Sequence, residues 1–300
     1  MGHGHSHGPT GHVTGRYRGR LAITFALVLG FLIVEVLVAL SSGSLALLSD
    51  AGHMTADVVA LGAALLAATV ATRPDRTGRR TFGFYRGEVF ASGLTVLIML
   101  AVAVFVVVEA VGRFGDPPEV QSLPMLIVGV LGLVVNVISM VLLHGGSRES
   151  LNVRGAYAEV IADAAGSIGV IAAALAIRFT GQLWWDPVIA VALGLFVAVR
   201  ALLLGREVLK VLGQEVPTGI SVARMRSDLA AIDGVRDVHD LHVWTLTSGM
   251  HVLTTHLVIA PDSADRVLAT AQELLAETYG IEHATVQTET SDARCQSLDW

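Results

Sequence analysis

The sequence predicts a membrane all-α domain of six transmembrane helices, followed by a small cytoplasmic α+β domain. Three observations carry this expectation. Apolar types make up 53% of the 300 residues and charged types 15%, against roughly 25% charged in an ordinary soluble domain, so the chain has too little charge to cover a water-facing surface. Six separate stretches approach the roughly 20 mostly apolar residues that a bilayer crossing requires. The charge is also divided: residues 1–206 carry 14 Arg/Lys against 12 Asp/Glu, and residues 207–300 carry 6 against 14. A net charge of −6 without a basic stripe excludes nucleic acid as a partner. Cys295 is the single cysteine, which excludes an internal disulfide and a cysteine-based zinc cluster.

In chain order, residues 1–20 form a polar tail rich in Gly and His, with His3, His5, His7 and His12. It lacks the apolar residues that would order it, and disorder is expected. The transmembrane domain, 21–206, holds the spans 21–40, 45–70, 89–111, 123–143, 156–177 and 187–204. Arginines set the orientation. Arg16, Arg18 and Arg20 precede the first span. Arg73, Arg76, Arg79, Arg80 and Arg86 lie between the second and third, Arg148 and Arg154 between the fourth and fifth, and Arg206 and Lys210 after the sixth. The opposite side offers Arg113 and Arg178 near span ends. An even number of spans with both termini cytoplasmic follows.

Residues 207–300 read as the cytoplasmic domain. The helix 221–232 leads to strands 235–247 and 250–260 around a Ser248-Gly249 turn. Pro261-Asp262-Ser263 opens a second helix reaching 279, with Asp262 or Ser263 as its N-cap. A last strand covers 282–288. This αββαβ order places the helices on one face of a sheet.

Ionisable groups inside a span cost several kcal/mol unless paired or hydrated, so they point to function. His53 and Asp57 in the second span are four residues apart and share a helix face, with Asp50 on nearly the same face. Glu159 and Asp163 repeat the spacing in the fifth span. A lone intramembrane His is more often a packing residue than a ligand. Paired acidic positions on two spans are different, because without a cation they repel one another. One imidazole nitrogen and three carboxylates suit tetrahedral enclosure of a divalent ion. Asp50 is an outer-ligand or proton-carrier candidate. Glu35 and Asn136 are expected to make interhelical hydrogen bonds, and Glu88, Glu109 and Asp186 to lie near span ends within reach of water. In the cytoplasmic domain His239, His242, His251, His256 and His283, with Asp237, Asp240 and Glu289 nearby, suggest a second metal site.

The motifs resemble those of the cation diffusion facilitator family. The run Ser44-Leu45-Ala46-Leu47-Leu48-Ser49-Asp50-Ala51-Gly52-His53 with Asp57 is similar to that family's second span, and Thr81-Phe82-Gly83-Phe84-Tyr85-Arg86-Gly87-Glu88 to its approach to the third. Asn152-Val153-Arg154-Gly155-Ala156-Tyr157 leading to Asp163 resembles the fifth span, and His239-Asp240-Leu241-His242-Val243-Trp244 the cytoplasmic domain. The resemblance covers about residues 21–289. It implies a homodimeric exporter of Zn2+ or a related divalent cation, driven by proton exchange, with a ferredoxin-like cytoplasmic domain; a plasma-membrane location and no cofactor are expected beside it, and the site's third carboxylate extends the expected ions to Cd2+, Co2+, Fe2+ or Mn2+. It implies His53, Asp57, Glu159 and Asp163 as the transport site. For the cytoplasmic domain it points to His239 and His256 as metal positions, to which the nearby His283 and Glu289 add to make the candidate regulatory site, and the tail histidines are candidates for weak metal capture.

Two departures stand out. Zinc members usually have His where this chain has Glu159, and a histidine position of some cytoplasmic domains is Gln287 here. A third carboxylate hardens the site toward ions such as manganese. Two other functions compete with a transporter: a gated divalent channel and an intramembrane metalloenzyme. The enzyme would need an open metal position and a general base, and no His-Glu-x-x-His occurs in the chain.

Overall fold

The computed structural model describes residues 11–70, 79–83, 86–113, 119–147, 151–247 and 249–290. The chain divides into two units, Met1–Gly205 and Arg206–Trp300.

The first unit is helical: α1 Gly11–Ser42, α2 Leu45–Val70, α3 Gly87–Arg113, α4 Ser122–Ser147, α5 Leu151–Thr180 and α6 Trp185–Leu212, whose last residues belong to the second unit. The expected span 45–70 coincides with α2, and the other five helices outrun the spans expected from hydropathy. Hydropathy marks only the lipid-facing part of a helix, while backbone hydrogen bonding continues through the polar interface. The largest extension is at α1, which starts at Gly11, so residues 11–20 of the expected disordered tail are helical and His12 falls on the first turn. His3, His5 and His7 lie outside the described residues.

Five of the described helices hold segments long and apolar enough to cross a membrane: Ala22–Ser42, Val89–Arg113, Ser122–Gly145, Glu159–Thr180 and Trp185–Leu212. The expected second span, α2, is a 26-residue helix but is not among the five. It carries the ionisable groups Asp50, His53 and Asp57 in its first half.

A tight turn at Gly43 joins α1 to α2; its φ of 71° lies in the left-handed region that glycine adopts without a Cβ penalty. The core joins Val28 and Phe31 of α1, Leu45, Leu47, Ala51 and Met54 of α2, Val106 of α3, Met125 and Val128 of α4, Val170 and Ala174 of α5, and Ala190 of α6. Ala56, Met99, Val197 and Ala201 bring α2, α3 and α6 together in a second cluster. Large apolar side chains such as Leu37, Val108, Val141 and Leu203 point outward. A surface of that kind is compatible with lipid and not with water.

Asp186 departs from expectation. It is 0% exposed, and instead of meeting water it accepts hydrogen bonds from Ser44 Oγ at 2.6 Å, Leu45 N at 2.8 Å and Ala46 N at 3.2 Å. The first N–H groups of a helix have no intrahelical acceptor, and a carboxylate there also meets the positive end of the helix dipole. Asp186 of α6 therefore caps α2. The expected interhelical bond of Asn136 is present, with Nδ2 donating to Ser167 Oγ at 3.3 Å.

The second unit runs α7 Val222–Ala230, β1 Val235–Thr247, β2 Met250–Ile259, α8 Ala264–Tyr279 and β3 His283–Glu289. The sheet order is β1-β2-β3, antiparallel between β1 and β2 and parallel between β2 and β3. A parallel pair needs a long crossover, which α8 supplies. Val267, Ala271 and Leu275 recur every four residues along α8 and meet Met225 and Leu229 of α7 and Leu253 and Leu257 of β2 in the core. Ser221 accepts from Arg224 N to cap α7. Ser263 is the residue at the N-cap of α8, but its hydroxyl donates back to Ala260 O at 2.7 Å. Tyr279 OH donates to Asp228 Oδ2 at 2.5 Å and ties α8 to α7. Burial, then that carboxylate, pushes its phenol up to about 12.

Candidate metal centre

The helical repeat places Asp50, His53 and Asp57 along one stripe of α2, and Glu159 and Asp163 along one stripe of α5. The two helices pack against each other where Gly166 of α5 meets Asp50 of α2. At Gly166 an added Cβ would lie 2.3 Å from Asp50 Oδ1, so only glycine lets α5 approach the Asp50 carboxylate this closely.

His53 and Asp163 are nearly inaccessible, at 2% and 3% exposed. His53 Nε2 lies 3.5 Å from Asp57 Oδ2 and 3.3 Å from Asp163 Oδ1. One ligand atom each from His53, Asp57 and Glu159 fall within 4.8 Å of one another. A tetrahedral ion bound at 2.0–2.1 Å has ligand atoms about 3.3–3.4 Å apart, so the spacing already fits zinc-like coordination. Asp57 Oδ2 and Asp163 Oδ1 are buried without a hydrogen-bond partner among the described residues. Buried carboxylate oxygens left in that state call for a cation. The structure thus brings together all four residues that the sequence singled out for this site.

A fifth residue joins them that the sequence reading passed over. Arg200 of α6 places Nη1 2.7 Å from His53 Nε2, and its Nη2 donates to Glu159 Oε2. The guanidinium carbon lies 5.8 Å from the centre of the Phe196 ring, one turn earlier on α6. That ring in turn meets His53 edge-on, with centroids 6.3 Å apart. A signal was present in the sequence: an arginine within a span is as costly as the carboxylates that were noticed.

Asp50 is buried one turn before His53 and is not part of the ligand cluster. It neighbours Glu35 of α1, which is buried like it and whose Oε2 has no hydrogen-bond partner among the described residues.

The second unit holds another cluster. His239 on β1 pairs across the ladder with His256 on β2, with ring centroids 5.3 Å apart. His256 Nδ1 is 2.9 Å from Glu289 Oε1, and His239 Nε2, buried without a hydrogen-bond partner among the described residues, is 3.8 Å from Glu289 Oε2. Asp240 joins the two histidines within ligand reach. It sits at φ 48°, where the register shifts between His239 and His242, so a bulge turns its side chain toward the cluster. Gln287 Nε2 donates to Glu289 Oε1 at 2.7 Å and orients that carboxylate. His283 is not brought in. It pairs with Val252, four register positions from the His256–Gln287 pair, or about 13 Å along the strand.

Two family models match the chain. "Cation efflux transmembrane domain" covers residues 21–212, and "Cation efflux protein, cytoplasmic domain" covers residues 217–291. Among curated relatives, the metal cation efflux system protein CzcD of Cupriavidus metallidurans is 44% identical over 100% of this chain and 93% of its own length. A cadmium, cobalt and zinc/H(+)-K(+) antiporter of Bacillus velezensis is 34% identical over 97% of this chain and 93% of its own. The zinc transporter ZitB of Escherichia coli is 38% identical over 96% and 93%.

Proposed function

The chain belongs to the cation efflux family, and from that premise we propose that it is a secondary transporter exporting Zn2+ from the cytoplasm in exchange for protons. It is a transporter and not an enzyme. The relatives named for cadmium and cobalt as well as zinc extend the substrate range to those ions. The single observation that carries the reading is the convergence of Asp57 and Asp163 on His53 Nε2 at tetrahedral spacing, between two packed helices.

In this reading a cytoplasmic ion is held by His53, Asp57, Glu159 and Asp163, and movement of the helices opens the site to the other side. Imidazole and carboxylates coordinate only when deprotonated, so protons and metal compete for the same atoms and an inward proton gradient drives metal out. Six spans, with α2 as the second, put both termini in the cytoplasm of a plasma-membrane protein. The second unit is a ferredoxin-like dimerisation domain, in which His239, Asp240, His256 and Glu289 hold a regulatory ion; His283 has no part in it.

Reconstituted liposomes test the reading. With a pH gradient imposed, the protein is expected to accumulate Zn2+ against its concentration gradient. Transport limited to dissipation of a metal gradient would identify a channel. Asp163→Ala is expected to abolish uphill transport while the protein remains membrane-inserted, because one buried ligand and one negative charge are lost. Full transport by that variant would overturn the site.

A further inference from the structure

We propose that Arg200 is a resident cation of the transport site, seated on His53 and Glu159 when cargo is absent, and that a divalent ion binds by displacing it from His53. The inference rests on the four-residue site described above and deepens it.

The first argument is competition for one atom. A guanidinium carries five N–H donors, no acceptor and a permanent charge. In the contact between Arg200 Nη1 and His53 Nε2, the imidazole nitrogen must therefore supply its lone pair. A metal ion needs that same lone pair. Nε2 cannot serve both, so the geometry makes Arg200 and cargo mutually exclusive at His53.

The second argument is charge. Asp57, Glu159 and Asp163 contribute three negative charges when ionised, and a divalent ion leaves one in excess. Arg200, still paired with Glu159 Oε2, brings the loaded site to neutrality. Glu159 and Arg200 together thus contribute no net charge, as a neutral histidine at position 159 would. The extra carboxylate of this chain has its counter-ion on α6.

The third argument is that the displaced group has somewhere to go. Phe196 lies one turn earlier on the same helix, with its ring already 5.8 Å from the guanidinium carbon. That distance is within the range of a cation–π contact. Arg200 can leave His53, keep Glu159 and rest on this ring.

A salt bridge that only fastens α5 to α6 predicts the opposite behaviour, and equilibrium binding of Zn2+ to the full chain in detergent separates the two. If Arg200 competes with cargo, Arg200→Gln binds Zn2+ at least about tenfold more tightly, because an opposing unit charge is gone from beside the ion. Glu159→Gln both removes a ligand and leaves Arg200 unopposed, so it weakens binding by more than about tenfold; in the Arg200→Gln background only the ligand is lost, and the effect is smaller. Arg200→Lys keeps a charge but loses the fork that spans two acceptors, so it binds about threefold more tightly than the wild type and serves if Arg200→Gln does not fold. Unchanged or weaker Zn2+ binding in a monodisperse Arg200→Gln or Arg200→Lys protein overturns the proposal. Asp163→Asn is the parallel arm: its loss of binding upholds the site itself, whereas retained binding would remove the site and leave Arg200 with no cargo to compete against.

Discussion

Asp163 and His283 show at single residues what spacing can and cannot reveal. The four-residue interval between Glu159 and Asp163 follows from helix geometry alone, so their common face was legible in the sequence. His283 is a histidine in a strand among other histidines, and composition alone grouped it with His239 and His256. Its distance from them depends on the pairing of β2 with β3, which no local pattern encodes. Arg200 was missed for a related reason: its meaning comes from Glu159 and His53, which lie on other helices. At this scale Gly166 makes a sharp test. Gly166→Ala puts a methyl group 2.3 Å from Asp50 Oδ1, and overpacking of that kind typically costs about 1–3 kcal/mol. A lowered thermal unfolding midpoint in detergent is expected, and an unchanged one would mean that α2 and α5 part easily.

Helices and strands were the most legible level. The expected strand 235–247 coincides with β1, because alternation and the Ser248-Gly249 turn fix both its period and its end. Five of the membrane helices, α2 being the exception, run longer than expected, since hydropathy fades before helical hydrogen bonding does. The cap on α2 was not legible at all: Asp186 lies far along the chain from Ser44, and capping is normally sought next to the helix it serves. Asp186→Ala is expected to destabilise the membrane unit by about 1–2 kcal/mol, the upper range for loss of a helix cap. Differential scanning fluorimetry of the solubilised protein would measure it. In the sheet, burial holds the His251 imidazole below its ordinary range, and its Nδ1 shares a hydrogen bond with Thr245 Oγ1 at 3.2 Å. The unfolded chain then binds the proton more readily than the folded one. The stability contributed by neutral His251 is complete above pH about 6.5 and declines as pH falls below it. His251→Gln should flatten that part of the urea-midpoint profile against pH; a profile identical to the wild type would assign the slope to other groups.

At the level of the whole molecule, the outward apolar surface of the first unit and the separately cored second unit explain the uneven charge of the two parts of the chain. The proton coupling proposed for the transporter has a direct signature. Metal binding should release protons, so the calorimetric heat of Zn2+ binding should vary with the ionisation enthalpy of the buffer, and affinity should fall with pH. A heat independent of buffer would remove the competition on which exchange depends.

The seat of Asp186 on the start of α2 has a mechanical meaning. It pins one end of α6, while Arg200 lies fourteen residues further along the same helix, about 21 Å by the helical rise. Val197 and Ala201 pack the stretch around Arg200 against α2 and α3, and a tilt of only about 10° about Asp186 would carry the guanidinium nearly 4 Å, enough to break its 2.7 Å contact with His53. One α6 side chain closes the start of α2 and another reaches its metal ligand, so the tilt between these two helices is held at two points fourteen residues apart along α6.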